Sequence, residues 1–251
     1  GKIRHRQAVD VVREMKYLQE VHGINLFYII DLNFTAIRGK VLEFCNELDR
    51  QGVHSSWYCM SNLETTDAEV LKAMKQTGCF KIAWGVESTK DESRRRMKKS
   101  LFDGKVLNKS QVIKKLGLSA EVGIINNIFY IIGFPWQTED SITSESEALS
   151  SYPAHQINIG IATPFPGSQW YDEIDKDILN QNLDLYDRNH LVYRHATLTN
   201  EKLKLIQEQI HHSFYSSPEY LERVKCLITI SPHFRDSFND YFRFLSLSIR
   251  V

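Results

Sequence analysis

The 251-residue chain balances 31 lysines and arginines against 31 aspartates and glutamates, which argues against nucleic acid or an anionic membrane surface as its main partner. Its 42% hydrophobic content suffices for a substantial core, either one large α/β domain or two small ones, and one domain with a tail is the reading preferred here. No apolar stretch approaches the roughly 20 residues that span a bilayer, and the start Gly1-Lys2-Ile3-Arg4-His5-Arg6 lacks a signal-peptide core, so a cytoplasmic protein without a membrane span is expected.

Val9, Val12, Met15 and Leu18 recur at helical spacing, and His22-Gly23 supplies the stop. A strand over Leu26 to Ile30 follows, closing on Asp31-Leu32-Asn33-Phe34-Thr35 with polar side chains at its exit. Val41 to Leu48 marks a helix ended by Gln51-Gly52, and His54 to Cys59 a strand with a Trp57-Tyr58 pair. A helix over Asp67 to Gln76, capped by Thr66 or Asp67, ends at Gly78. The strand ending Ile82-Ala83-Trp84-Gly85-Val86-Glu87-Ser88 then delivers a carboxylate just past an apolar run. That carboxylate is either a functional acid at a strand's carboxyl end or a cap for the charged helix from Lys90 to Lys99. The basic run Arg94-Arg95-Arg96-Met97-Lys98-Lys99 reads as a solvated helix face.

A helix over Val106 to Leu116 is expected to stop at Gly117, and the most apolar strand, Asn127 to Ile132, breaks at Gly133-Phe134-Pro135. A helix starts near Thr138-Glu139-Asp140, and Gln156 to Ala162 is the last clear strand, ending in Thr163-Pro164-Phe165-Pro166-Gly167. Asn200 to Tyr215 reads as an amphipathic helix, His211-His212 as part of its solvated face, and the aromatics from Phe234 to Ile249 as core or interface contacts. Tyr58, Tyr130, His155 and His190 read as packing or structural residues rather than catalysts. Five strands alternating with helices make an α/β fold on a parallel sheet, a partial barrel with a helical C-terminal tail. Cys45, Cys59, Cys79 and Cys226 are too scattered for a close-spaced metal motif; Cys45 and Cys79 read as small buried hydrophobes.

With these motifs in place, the order Asp31-Leu32-Asn33-Phe34-Thr35, Gly85-Val86-Glu87-Ser88, Ile132-Gly133-Phe134-Pro135 and Ala162-Thr163-Pro164-Phe165-Pro166-Gly167 resembles the radical S-adenosylmethionine superfamily. It is most similar to the branch that often carries an N-terminal cobalamin domain, with the anaerobic magnesium-protoporphyrin monomethyl ester cyclase and hopanoid-type enzymes. The resemblance covers residues 1 to 224. It implies a partial (β/α)6 TIM-like barrel missing its first strand over residues 1–197 and a helical C-terminal extension over 198–251. Asp31 and Asn33 would then meet the methionyl amino end of S-adenosylmethionine, Glu87 and Ser88 the methionyl or ribose groups, and Gly133, Phe134, Pro135, Thr163 and Pro164 the adenine.

What the resemblance further implies is radical chemistry on a small-molecule or peptide substrate: hydrogen abstraction, with methyl transfer or ring closure to follow. The cofactors it implies are a four-iron four-sulfur cluster, with cobalamin from a preceding domain, and the partner a reductant such as flavodoxin or ferredoxin. The chain departs from that pattern in lacking the CxxxCxxC cluster loop. It therefore reads either as a fragment of a longer enzyme that supplies the first strand and that loop, the favoured reading, or as a degenerate relative. A non-catalytic nucleoside or S-adenosylmethionine binding module is the alternative function. A barrel hydrolase or aldolase built on Glu87 is weaker, because no strand end carries a lysine.

Overall fold

The computed structural model describes residues 5–97 and 106–230, and for 226–230 the backbone alone. Helix α1, Ala8–His22, buries Ala8, Val12 and Met15 and stops where Gly23 takes φ 67°, a left-handed turn that glycine adopts without Cβ strain. Strand β1, Leu26–Ile29, leads through the Asp31 loop to α2, Arg38–Gln51, and β2, Ser56–Ser61, starts two residues later than the sequence suggests. Helix α3, Ala68–Gln76, is capped by the Asp67 carboxylate, which accepts the Val70 N–H.

Strand β3, Cys79–Glu87, is followed by the short α4, Asp91–Arg96, and then by α5, Lys109–Glu121. Helix α5 begins later and runs further than its glycine suggested. Asn108 and Gln111 form a reciprocal capping box, Gly117 is absorbed into the helix, and Gly123 at φ 81° makes the turn out. Strand β4, Ile125–Ile132, leads to α6, Glu139–Glu147, and β5, Gln156–Ile161, to the short α7, Gln169–Glu173. Helix α8, Asn200–Ser216, is followed by α9, Pro218–Ile230, within the C-terminal segment expected to be helical. Lys98, Lys99 and the aromatics from Phe234 to Ile249 lie outside the described residues, as does the Cys226 side chain.

The five strands are parallel and lie in chain order, β1-β2-β3-β4-β5. Such a sheet winds one way, as in a barrel arc, and the α/β expectation holds. Ile82, Trp84 and Val86 of β3, with Ile128, Tyr130 and Ile132 of β4, face the helices and join Val70, Leu116, Leu203 and Ile206 in one buried core. Residues of the opposite parity, among them Tyr58, Lys81, Gly85, Phe129 and Asn158, form the other face, here called concave. Strand β1 pairs only with β2 among the described residues, and its Leu26 and Tyr28 are exposed.

Two sequence expectations on the helix surfaces need correction. Arg94 does not belong to a solvated face: it is 2% exposed, and its guanidinium donates to Asp91 Oδ1 at 2.6 Å. His212 is exposed, but His211 is half-buried and lines a cavity on the concave side. His155, by contrast, is the structural residue expected, with Nδ1 accepting the Asn126 N–H at 2.9 Å.

Candidate functional site

Glu87 closes β3 in an uncommon conformation. Its φ is 65°, and the Ser88 N–H donates back to the Val86 carbonyl at 2.8 Å, so three residues make a γ-turn of positive φ. That turn is rare and strained for a residue with a Cβ, at about 1 to 2 kcal/mol, and it survives only where the surroundings over-determine it.

Here the surroundings are the next three residues. The Ser88 hydroxyl is fully buried, donates to Glu145 Oε2 at 2.8 Å and accepts the Lys90 N–H at 3.0 Å. Thr89 Oγ1 donates to the Glu145 carbonyl at 2.6 Å, and Ser93 Oγ to Glu145 Oε1 at 3.2 Å. Glu145, on α6 and 3% exposed, thereby clamps the segment behind the strand end, while Glu87 lines the cavity in front. Beside this clamp, burial and the Glu145 carboxylate raise the Tyr130 phenol well above its usual range, which keeps it neutral.

The ends of β4 and β5 complete this part of the mouth. Gly133 has φ 83°, and a Cβ there would lie 3.0 Å from Leu203 Cδ1; its carbonyl accepts a hydrogen bond from the buried Tyr193 hydroxyl. The Phe134 N–H donates to Gln137 Oε1 at 3.0 Å, and its ring stacks on Trp136 at 4.7 Å and 12°. The Thr163 hydroxyl donates to the Ile161 carbonyl at 2.9 Å. Glu87 and Thr163 line two adjoining cavities. One, about 550 Å³, opens onto the concave face past Phe129 and Asn158; the other, about 510 Å³, is walled by Phe134, Trp136, Phe165 and Trp170. Both are of ligand size and together offer aromatic walls, with the Glu87 carboxylate common to both and Asp187 and Glu173 lining one each.

The sequence-predicted residues therefore divide. Glu87, Phe134 and Thr163 converge on this double cavity, with Gly133 shaping its rim. Pro164 is buried beneath the loop and Pro135 faces outward. Asp31 lines a separate cleft of about 330 Å³ at the end of β1, beside Arg6 and Lys40. The Asn33 side-chain oxygen is engaged in holding the β1–α2 loop, accepting from the Asn62 N–H at 3.2 Å and from Ser61 Oγ at 3.3 Å. Reading the sequence missed Trp136, Trp170 and Arg188, which also border these cavities; no strand-end motif marks them.

No family model matches the chain. It is 26% identical over 224 residues to an uncharacterized methyltransferase of Pyrococcus horikoshii, spanning 88% of this chain and 48% of that protein. It is 24% identical over 175 residues to the anaerobic magnesium-protoporphyrin IX monomethyl ester cyclase of Cereibacter sphaeroides, spanning 68% of this chain and 28% of the enzyme. Against hopanoid C-3 methylase of Methylococcus capsulatus it is 20% identical over 191 residues, 75% of this chain and 35% of that one. Among solved structures, the radical S-adenosylmethionine methyltransferase TsrM from Kitasatospora setae, with cobalamin and a four-iron four-sulfur cluster bound, superposes with a TM-score of 0.61 at 17% identity, over 68% of this chain and 34% of that one.

This is a radical S-adenosylmethionine fold. Coproporphyrinogen III oxidase from Escherichia coli, also a radical S-adenosylmethionine enzyme, shares that fold with a TM-score of 0.55 at 15% identity, over 84% of this chain and 47% of that one. The resemblance read from the strand-end motifs, cobalamin-dependent branch included, is borne out by these relatives. The chain spans about half the length or less of the curated relatives it matches.

Set on the radical S-adenosylmethionine fold, the described cysteines do not fit a cluster. Cys45, Cys59 and Cys79 are buried, and burial pushes the Cys45 thiol up to about 11 and raises Cys59 as well, so in this fold they are thiols rather than the thiolates that hold a cluster. Among the described residues no three His, Cys, Asp or Glu side chains group to hold a metal ion. No described helix is long and apolar enough to cross a membrane.

Proposed function

We propose that the chain is the S-adenosylmethionine-binding part of a radical S-adenosylmethionine enzyme. The observation that carries this is the convergence of the strained Glu87 carboxylate with the Gly133-Phe134 and Thr163 segments, at the carboxyl ends of three adjacent parallel strands. A carboxylate suits the methionyl ammonium or the ribose hydroxyls, and the aromatic cavity suits adenine. Ser88 acts through its backbone and its tie to Glu145, which hold Glu87 in place. Asp31, Asn33, Pro135 and Pro164 contribute through the shape of the neighbouring strand-end loops rather than by lining this cavity.

Bound there, S-adenosylmethionine supplies an activated methyl or adenosyl carbon. This chain's residues orient it and, through Phe134, Trp136 and Trp170, keep water from it. The reaction class we assign to the whole protein is radical chemistry on an unactivated carbon, with methyl transfer or ring closure as its outcome. The four-iron four-sulfur cluster does not fit the cysteines described; we assign that cluster, cobalamin and a reductant such as flavodoxin or ferredoxin to the whole protein. We further propose a cytoplasmic location, a barrel portion over residues 1–197 and an extension over 198–251, whose helix α8 packs into the core through Leu203, Ile206 and Ile210.

Glu87→Gln keeps the size and the left-handed turn and removes the charge. Calorimetric titration with S-adenosylmethionine is expected to show affinity reduced by about 1 to 3 kcal/mol. Equal affinity of variant and wild type would return Glu87 to a structural role.

A further inference from the structure

The turn after β4 is closed on itself and tied from outside. Within it, the Gln137 N–H donates to the Phe134 carbonyl at 2.9 Å and the Phe134 N–H to Gln137 Oε1 at 3.0 Å, so Phe134-Pro135-Trp136-Gln137 moves as one piece. It hangs between Gly133, whose φ of 83° makes the joint with β4, and the start of α6 at Thr138. Two side-chain hydrogen bonds reach this turn from residues 192–198. The Tyr193 hydroxyl donates to the Gly133 carbonyl, at the joint, and His195 Nε2 to the Phe134 carbonyl at 2.9 Å, beyond it.

His195 is fixed in one tautomer. Its Nδ1 accepts the Thr197 and Leu198 N–H groups, both at 3.1 Å, so that nitrogen carries no proton. The ring proton then sits on Nε2, which is what the bond to Phe134 needs. Thr197 and Leu198 lead directly into α8, where Thr199 Oγ1 accepts the Lys202 N–H at 3.2 Å and Leu203 packs beneath Gly133. One imidazole thus joins the start of α8 to the mouth, with a different nitrogen on each side.

The segment that carries these two side chains is itself anchored. Tyr193 is 1% exposed and pairs with Ile178 in an antiparallel bridge, flanked by the Leu179 N–H on the Val192 carbonyl at 2.9 Å and the Arg194 N–H on the Asp177 carbonyl at 2.7 Å. The Tyr193 ring stands edge-on to Trp170 at 5.5 Å and 76°, and Trp170 lies 5.6 Å from the Phe134 ring. This strap therefore supports both walls of the aromatic cavity, Trp170 directly and the stacked Phe134-Trp136 pair through the turn.

We propose that His195 is a positioning residue of the mouth: its Nε2–H holds the Phe134 carbonyl and so sets the tilt at which the Phe134 and Trp136 rings face Trp170. His195 lines neither cavity, so its effect on a ligand passes through the turn. The inference rests on the reading of the mouth as the S-adenosylmethionine site, in which that tilt fixes the slot for a flat base. It also makes the start of α8 part of that site.

The two ring nitrogens are separable by substitution. Asparagine places its amide oxygen near the Nδ1 position and keeps the acceptor for Thr197 and Leu198; glutamine reaches the Nε2 position and keeps the donor to Phe134. S-adenosylmethionine is titrated by calorimetry into wild type, His195→Asn and His195→Gln, with urea denaturation and acrylamide quenching of tryptophan fluorescence alongside. Trp57 and Trp84 are fully buried, so the quenching reports Trp136 and Trp170. His195→Asn is expected to bind about tenfold more weakly than wild type and to quench more strongly, while losing less stability than His195→Gln. His195→Gln is expected to bind within about twofold of wild type in spite of its lower stability. A purely structural role predicts the opposite order, with affinity following stability across the two variants. That order, or wild-type affinity and quenching in His195→Asn, overturns the inference. Stronger quenching in His195→Asn with binding unweakened both there and in Glu87→Gln would overturn the mouth assignment instead.

Discussion

Asn126→Leu is expected to lower the unfolding free energy by about 3 to 5 kcal/mol, measured by urea denaturation. Asn126 is fully buried on the helix-facing side of β4, at the second position of the strand. Its Oδ1 accepts the Trp84 indole N–H at 2.9 Å, and its Nδ2 donates to the Leu116 carbonyl at 2.8 Å and the Pro153 carbonyl at 2.7 Å. One amide thus ties β3, α5 and the entry to β5 together. Leucine matches its shape and leaves the buried Trp84 N–H and the Pro153 carbonyl unmet, at about 1 to 3 kcal/mol each and less than additively. Adding Trp84→Phe removes the orphaned donor, so the double variant is expected to cost less than the sum of the two single ones. A loss below about 1 kcal/mol for Asn126→Leu would show that the hub is not coupled to folding.

The second large effect is acid sensitivity through the neighbouring His155. Its Nδ1 must stay unprotonated to accept the Asn126 N–H at 2.9 Å. Burial, with the nearby Arg223 charge adding to it, lowers its pKa from 6.5 to about 4. The unfolded chain takes up a proton as pH falls through 6.5, while the folded chain resists until about 4. Above 6.5 the group contributes no slope; between 6.5 and about 4 it makes stability fall, by an amount on the order of 3 kcal/mol. Urea denaturation at pH 7.5 and 4.5 checks this against His155→Asn, in which that part of the decline is expected to disappear. Identical pH slopes for the two proteins would assign the acid sensitivity to other groups, such as Glu47, which Arg50 and Gln51 hold down to about 2.

The hub also shows what a sequence conceals. The sequence places β4 from Asn127 onward, two residues short of its start at Ile125; the opposite roles of the two asparagines, one buried among carbonyls and one facing Asn158, appear only once neighbours are known. Strand order and the carboxyl-end position of Glu87, Gly133, Phe134 and Thr163 were legible, because apolar runs closing on glycine or polar residues mark where parallel strands stop. Glycines at a helix end were ambiguous: Gly23 does stop α1, whereas Gly117 sits inside α5, and only backbone dihedrals separate the two. The commitment of Asn33 and Ser88 to loop-holding hydrogen bonds was equally hidden, since a side chain that faces a ligand and one that faces a neighbouring loop have the same spelling. Arg188 lies in an irregular segment with no period to read, and its place above Phe129 follows from a backbone hydrogen bond to β5.

The γ-turn at Glu87 bears on how such a chain would drift. Glycine or asparagine would relax a φ of 65° at this position, so on stability alone most random exchanges toward those residues are improvements. A carboxylate kept there opposes that gradient, as a ligand-facing role would require. In a population released from whatever ligand Glu87 meets, this position is where decay would register first, ahead of the core that the same residues help to close.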